Sequence, residues 1–201
     1  MNRNTRLGLV FAAALALTVG GIAATALLQD QRGVAVSTGK ALVGGPFTLT
    51  SQSGTRVSDS DFRGRYMLVA FGYTFCPDVC PAELQVMSAA LDELGPKAER
   101  VQPLFITIDP ERDTADVLKD YVPNFHADFI GLTGTASEIA DVARAYRVYY
   151  AKAKDSGATD YLMDHSSIIY LMGPDGSFVK HFPYGTDAKA LADGIAAAMT
   201  S

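Results

Sequence analysis

The chain has 201 residues, of which 48% are hydrophobic and 19% are charged, and its formal net charge at pH 7 is −5. No basic stripe is present to neutralise phosphates, so the composition argues against a nucleic-acid-binding protein. Residues 46–201 are numerous enough for one domain with a substantial core and too few for two.

The first element is an apolar segment over residues 7–28, which contains no charged side chain. A helix of this length spans the roughly 30 Å of a bilayer core, so we expect a transmembrane anchor. Arg3 and Arg6 precede the segment, and the positive-inside preference then predicts a cytoplasmic tail over residues 1–6 and an exported domain. A cleaved signal peptide with its cleavage site at residues 24–26 is the alternative. The length of the apolar run favours the uncleaved anchor.

Residues 29–45 are polar and small, without periodicity, and we expect a linker there. An N-terminal anchor with no evident mitochondrial transit peptide predicts a bacterial inner-membrane protein whose C-terminal domain faces the periplasm. Export matters for the chemistry of the chain, because disulfides persist in oxidising compartments and not in the cytosol.

Beyond the linker, apolar runs that predict strands alternate with segments of helical periodicity. Residues 67–73 form a near-continuous apolar run, typical of a strand buried on both faces, and residues 130–133 are expected to form an edge strand. Thr135 and Glu138 have the spacing of a capping box at the start of a helix. The predicted strands are residues 46–50, 55–57, 67–73, 101–108, 130–133, 148–153, 167–172 and 177–182. The predicted helices are residues 81–94, 114–121, 135–146 and 187–199.

This order of elements predicts an α/β domain over residues 46–201, with three α/β/α layers and a mixed sheet. It matches a thioredoxin-like fold that carries an added N-terminal β-hairpin and a helical insertion. In the full chain, one transmembrane helix is expected to precede the domain.

The only two cysteines, Cys76 and Cys80, lie where the strand over residues 67–73 gives way to a helix. Residues four apart across one turn have Cβ atoms about 5–6 Å apart or closer, which suits a disulfide or a shared metal ion. The positive end of the helix dipole favours thiolate over thiol. Three intervening residues, rather than the two of a thioredoxin-type exchange enzyme, favour chelation. Two thiolates prefer soft ions, and Cu(I) accepts two or three ligands where structural zinc needs four.

A third metal ligand requires a histidine that the fold brings back to the cysteine loop. His126 lies beside the helical insertion and is expected at the surface, and His181 ends a strand and is expected to be structural or exposed. His165 stands at the start of the strand over residues 167–172, and the loop there lies against the cysteine loop in a thioredoxin-like sheet. Topology therefore favours His165, although a lone histidine is more often structural. Asp164 is expected either to orient the imidazole or add a ligand, or to be a turn residue.

With these motifs, the chain resembles the Sco/SenC family of membrane-anchored copper proteins that assemble cytochrome c oxidase. The resemblance covers about residues 46–199. The matching segments are residues 72–81, 108–114, 131–134, 146–150, 160–161, 164–166 and 170–176. Phe75 occupies a position where some relatives carry a histidine, so an auxiliary ligand of those relatives is missing here.

The resemblance implies a redox-active pair, Cys76 and Cys80, which together with His165 binds one copper ion per domain as Cu(I) or Cu(II). It also implies delivery of copper, reducing equivalents or both to the dinuclear Cu-A site of cytochrome c oxidase subunit II. Other copper chaperones are further partners that the resemblance suggests.

Three other functions remain open from the sequence. An exported thiol–disulfide oxidoreductase would need both cysteines but not His165. A peroxidase is disfavoured, because Tyr73 stands where a peroxidatic cysteine normally has a threonine three residues before it. The third of these functions is that of a copper or redox sensor. The motif over residues 109–113 is interpreted either as a helix-capping turn with an ion pair or, from the family resemblance, as a partner surface or as residues that surround the ligands of the site.

Overall fold

A computed structural model describes residues 42–153 and 161–200. The predicted cytoplasmic tail, the apolar anchor and nearly all of the linker lie outside these residues. Among the helices of the two described ranges, none has both the length and the hydrophobicity that a bilayer crossing requires.

The described residues contain nine strands and four α-helices. The strands are β1 (Thr48–Ser51), β2 (Arg56–Ser58), β3 (Tyr66–Gly72), β4 (Val101–Thr107), β5 (Ile130–Thr133), β6 (Tyr150–Lys152), β7 (Met163–His165), β8 (Ile168–Met172) and β9 (Phe178–Pro183). The helices are α1 (Val79–Leu94), α2 (Ala115–Tyr121), α3 (Ala136–Ala145) and α4 (Ala188–Ala198). Short 3-10 turns cover Asp59–Phe62, Gly95–Arg100 and Val122–Asn124. The predicted alternation of strands and helices is confirmed.

Seven of these strands form one mixed sheet in the order β2-β1-β5-β4-β3-β8-β9. Strand β3 pairs in parallel with β4, and β4 pairs in parallel with β5. The predicted N-terminal hairpin is confirmed as the antiparallel pair β1–β2. The expectation that residues 130–133 form an edge strand is wrong, because β1 pairs with β5 on its free side. The hairpin thus extends the sheet and caps the strand that would otherwise be exposed.

The core lies on both faces of the sheet, as a three-layer α/β/α domain requires. All seven residues of β3 are buried, as are all seven of β4, which explains their continuous apolar sequence. On one face, Leu84 and Met87 of α1 and Ile195 of α4 belong to one apolar cluster. On the other face, Ile139 and Val142 of α3 belong to a second cluster. The thioredoxin-like α/β fold with a mixed sheet is confirmed.

The junction between β3 and α1 depends on a close approach of helix and strand at Gly72. A Cβ atom added there would lie 2.8 Å from the Sγ atom of Cys80 and 2.9 Å from the ring of Phe105. Real Cβ atoms do not tolerate such contacts with packed neighbours. Glycine at the end of β3 therefore allows the start of α1 to lie directly over the strand end.

Strands β6 and β7 form a separate two-stranded antiparallel sheet that pairs Tyr150 with His165. The prediction that His165 begins the strand over residues 167–172 is wrong in this detail, because His165 is the last residue of β7. Strand β8 starts only at Ile168. The histidine is thus fixed by a hairpin partner rather than held on an unpaired loop.

Candidate metal centre

The cysteine loop connects β3 to α1 and places its two sulfur atoms at the start of the helix. Cys76 is half-buried in the loop, and Cys80 is buried as the second residue of α1. The backbone N–H of Cys80 donates a hydrogen bond of 3.4 Å to the Sγ atom of Cys76. Since N–H groups in the first turn of a helix have no partner inside it, they are free to stabilise a thiolate.

The imidazole of His165 reaches this pair from β7. Its Nε2 atom lies 3.3 Å from the Sγ atom of Cys80, and its Nδ1 atom lies 3.1 Å from the carbonyl oxygen of Ser166. A carbonyl oxygen only accepts hydrogen bonds, so Nδ1 carries a proton, and Nε2 is the ring nitrogen that faces the sulfur atoms. The backbone at Ser166 therefore orients the ring, while Asp164 is exposed.

The structure brings together the three residues that the sequence predicted as ligands. The sulfur atoms of Cys76 and Cys80 and a ring nitrogen of His165 all lie within 4.8 Å of one another. Both cysteines are free thiols. Thiolates and an imidazole suit soft and borderline ions such as copper, and three protein ligands fall one short of a structural zinc site. The residues present therefore fit a copper ion.

The centre opens to solvent through a cavity of about 300 Å³ lined by both the cysteine loop and β7. Cys76, Asp78 and His165 contribute to its wall. An incoming ligand from another molecule can therefore approach the ion directly. This arrangement differs from a closed structural site, in which the protein supplies every ligand.

The two thiols of the metal-free centre have pKa values shifted in opposite directions. The pKa of Cys76 falls to about 3, chiefly because the Cys80 side chain donates a hydrogen bond to its sulfur, while burial opposes the change. The same hydrogen bond and burial raise the pKa of Cys80. Burial opposes charge on His165, yet its hydrogen bond with Cys76 raises the imidazole pKa. The resting centre thus holds one thiolate, and a metal ion must displace the proton of Cys80.

The other two histidines lie away from this centre, as predicted. His126, which was expected at the surface, is partly buried and lies 3.9 Å from a carboxylate oxygen of Asp92 and 3.7 Å from one of Asp128. His181 is exposed on β9, where its ring stacks on Phe178. Neither side chain is a candidate ligand for the centre.

The motif over residues 109–113 anchors the cysteine loop. Strands β3 and β4 are parallel, so the loops at their carboxyl ends meet at the same edge of the sheet. The buried carboxylate of Asp113 accepts hydrogen bonds from the backbone N–H of Thr74 at 3.0 Å and from the Thr74 hydroxyl at 2.6 Å. It also accepts a bond of 2.6 Å from the hydroxyl of Thr107. The start of the cysteine loop is thereby tied to the end of β4.

Arg112 of the same motif forms one wall beside the cysteine loop. Its guanidinium pairs with Asp109, as the ion-pair interpretation predicted. The guanidinium carbon lies 3.8 Å from the ring centroid of Tyr161 and 4.8 Å from that of Phe75. Phe75 is 49% exposed, so its ring presents an aromatic surface to solvent beside the centre. A phenyl ring has no ligand atom for the metal. Sequence reasoning missed this stack, whose members are far apart in the chain.

Glu83 is a second residue that the sequence reasoning missed. It follows Cys80 by three positions on α1, yet only 6% of it is exposed. No described residue donates a hydrogen bond to its buried Oε1 atom. Burial raises the pKa of this carboxyl to about 7, against a smaller opposing effect of His165. The signal in the sequence is the helical spacing, which places Glu83 on the same side of α1 as Cys80 and Leu84.

The match to a family model decides the relationship of the chain to known proteins. The model described as SCO1/SenC matches residues 35–200. The chain belongs to the SCO1/SenC family.

Relatives within the SCO1/SenC family include proteins of known structure. The mitochondrial SCO1 homolog of Homo sapiens is 46% identical over 163 residues, which cover 80% of this chain and 54% of that protein. The chain thus spans about half the length of the curated relatives it matches. The crystal structure of Arabidopsis thaliana ScoI with copper bound has a TM-score of 0.75 and 43% identity, covering 79% of this chain and 98% of that one.

Two further solved structures extend this comparison within the SCO1/SenC family. Bradyrhizobium japonicum ScoI with copper bound has a TM-score of 0.71 and 42% identity, covering 77% of this chain and 98% of that one. BsSco, a member of the Sco family of cytochrome c oxidase assembly proteins with a disulfide switch, has a TM-score of 0.62 and 28% identity. The match covers 79% of this chain and 94% of the BsSco chain.

Proposed function

We propose that the chain is a copper carrier that serves the assembly of cytochrome c oxidase. One copper ion is held by the sulfur atoms of Cys76 and Cys80 and by the Nε2 atom of His165. The observation that carries the proposal is the convergence of these three ligand atoms within 4.8 Å of one another in a cavity open to solvent. Family members solved with copper bound support the choice of metal.

The geometry suits transfer of the ion rather than permanent storage. Three protein ligands leave a position that a thiolate or imidazole of a partner can occupy. Ligands are then exchanged one at a time, so the ion is never released to water. Cys76, half-buried in the loop, is the more accessible sulfur, whereas Cys80 is held in the helix. We infer that Cys76 is the first ligand to be replaced.

We infer that oxidation of the cysteine pair turns copper binding off. The Cys76 thiolate and the Cys80 thiol together lose one proton and two electrons to an oxidant and form the Cys76–Cys80 disulfide, which retains no thiolate for the ion. In the opposite direction, the dithiol reduces a disulfide of a metal-free partner before copper is loaded. The disulfide switch described for BsSco supports this pair of states.

The proposed recipient is the Cu-A site of cytochrome c oxidase subunit II, and other copper chaperones are the proposed donors. We propose that residues 7–28 anchor the chain in a bacterial inner membrane, with residues 1–6 in the cytoplasm. Residues 29–45 then link the anchor to a periplasmic domain over residues 46–201. The apolar sequence of the anchor segment and the two arginines before it support this topology.

The proposal is tested by oxidase assembly in cells that lack the native chain. We expect Cys76→Ser, Cys80→Ser and His165→Ala each to abolish restoration of cytochrome c oxidase activity, because each removes a copper ligand. His126→Ala and His181→Ala are matched controls at histidines outside the centre and should restore activity fully. A fully active His165→Ala variant, with both cysteine variants inactive, would instead identify a thiol–disulfide oxidoreductase.

A further inference from the structure

A second cavity lies beside the start of α1. Its volume is about 230 Å³, and it is enclosed by the first turns of α1, by β8 and by the turn from β9 into α4. Ala82, Val86 and Ile169 supply apolar parts of its wall. The cavity has the size of one amino-acid side chain rather than of a cofactor.

The cavity contains a buried carboxyl group without a partner. Glu83 lines the wall, is 6% exposed, and receives no hydrogen bond from any described residue at its Oε1 atom. Leaving Oε1 unpaired costs free energy, and because this atom is fully buried, the carboxyl recovers that free energy only by turning towards a donor that enters the cavity. The Oε1 atom of Glu83 is therefore a hydrogen-bond acceptor that has no donor among the described residues.

The remaining polar groups of the cavity favour a positive charge. Asp187 adds a second carboxylate, of which the Oδ1 atom caps α4 by accepting from the N–H of Ala190 at 2.7 Å, and none of the residues that line the cavity is basic. The ring of Tyr184 is 58% exposed and lines the same cavity. An aromatic face beside carboxylates is the arrangement that attracts a planar cation.

We propose that this cavity receives an arginine side chain of a partner polypeptide that docks beside the metal centre. The guanidinium donates hydrogen bonds to the carboxylate of Glu83 and packs against the ring of Tyr184. Its aliphatic stem contacts Val86 and Ile169. Because Glu83 lies one helical turn from Cys80, the docked segment is placed next to the cysteine loop. The interaction requires no metal, so it goes beyond the proposed function and stands or falls separately from it.

The test uses two capped tripeptides, acetyl-Gly-Arg-Gly-amide and its citrulline counterpart, which has the same shape without the charge. Each is titrated into the full-length, metal-free chain in a non-ionic detergent, and backbone amide shifts are followed by NMR. We expect the arginine peptide to shift the amides of Glu83, Val86, Tyr184 and Gly185 to saturation. The citrulline peptide should bind about tenfold more weakly or worse. Equal shifts with both peptides, or shifts confined to other surfaces, would overturn the proposal.

A pair of variants tests the role assigned to the buried carboxyl. Glu83→Gln should remove the preference for arginine over citrulline, whereas Glu93→Gln, an exposed acid on the same helix, should preserve it. An unchanged preference in Glu83→Gln contradicts the proposal. If Glu83→Gln fails to fold, the comparison of the two peptides on the unaltered chain still decides the question.

Discussion

Two identical side chains acquire different properties at the metal centre because of their places relative to α1. Cys76 lies before the helix and accepts the backbone N–H of Cys80, which favours its thiolate. Cys80 lies within the first turn, where burial and the neighbouring thiolate keep its proton on. The two cysteines thus differ in thiol pKa before any metal binds. This difference agrees with the inference that Cys76 is the ligand replaced first, while Cys80 keeps its place in the helix.

Glu83 leads to a prediction about stability and pH. Its carboxyl pKa is raised from 4.5 to about 7 in the folded chain, so between these pH values the folded state binds more protons than the unfolded state. Stability contributed by the neutral carboxyl is therefore lost as pH rises through this range. We expect Glu83→Gln to be more stable than the unaltered chain by up to about 3 kcal/mol near pH 8 and little different near pH 4.

Urea unfolding of the full-length chain at about pH 4, 6 and 8 measures this difference directly. Glu93→Gln is the control, because its side chain is exposed and it should show no such trend. A stability difference for Glu83→Gln that stays constant across the pH range would contradict the assigned burial effect.

The candidate ligands were predictable from the sequence, whereas their surroundings were not. Cys76 and Cys80 are close in the chain, and the order of elements was enough to select His165 among three histidines. The buried Glu83 instead shares its cavity with the turn after β9, about a hundred residues away in sequence. The stack of Arg112 on Phe75 and Tyr161 likewise joins three distant segments.

At the scale of elements, the turn after β4 holds the cysteine loop in place through Asp113. Asp113→Asn replaces one carboxylate oxygen with an amide that cannot accept from Thr74 or Thr107, and it leaves a buried donor unpaired. We expect the variant to lose about 2 kcal/mol of unfolding free energy. Because the loop carries both sulfur ligands, copper affinity should also fall about tenfold.

Thermal unfolding and a competition titration with a copper chelator measure the two effects. Asp116→Asn is the matched control, since Asp116 is exposed on α2. Asp113→Asn with unaltered copper affinity would show that the turn does not position the cysteine loop.

The capping box of α3 is a second element whose sequence signal is confirmed. The N–H of Thr135 donates to Glu138 at 2.8 Å, the N–H of Glu138 donates to the Thr135 hydroxyl at 3.2 Å, and Arg56 of β2 pairs with Glu138 at 2.6 Å. The hydrogen bond from Arg56, with the Thr135 backbone, lowers the pKa of Glu138 from 4.5 to about 2.

We expect Glu138→Ala to cost about 1 kcal/mol of stability near pH 7. The carboxylate stabilises the fold above the unfolded pKa, and this contribution is lost as pH falls from about 4.5 towards about 2. Denaturant unfolding at several pH values measures the effect, with Asp141→Ala as an exposed control on the same helix. A cost that persists undiminished at pH 2 would contradict a role for the charged carboxylate.

The two elements that sequence reasoning misplaced have a common cause. Strand β7 contains only Met163–His165, a run too short and polar to show strand periodicity, and it exists because β6 pairs with it. Strand β5 was expected at an edge because its partner β1 lies about eighty residues earlier in the chain. Both errors concern pairing between strands, which local patterns do not encode.

For the whole molecule, the fold concentrates its chemistry at one edge of the sheet. The carboxyl ends of β3 and β4 bring the cysteine loop against the turn over residues 109–113, and β7 adds the histidine. The cavity around Glu83 lies beside this edge. A partner that docks here would meet the metal centre and the proposed arginine site together.

We expect Cys76, Cys80 and His165 together to bind copper only when the cysteines are reduced. The copper content of the full-length chain, after loading and removal of excess metal, measures this binding. About one copper should remain per reduced chain and none on the disulfide form, and the ion should be lost in Cys76→Ser, Cys80→Ser and His165→Ala but not in His126→Ala. Full copper retention by the disulfide form or by His165→Ala would contradict this expectation.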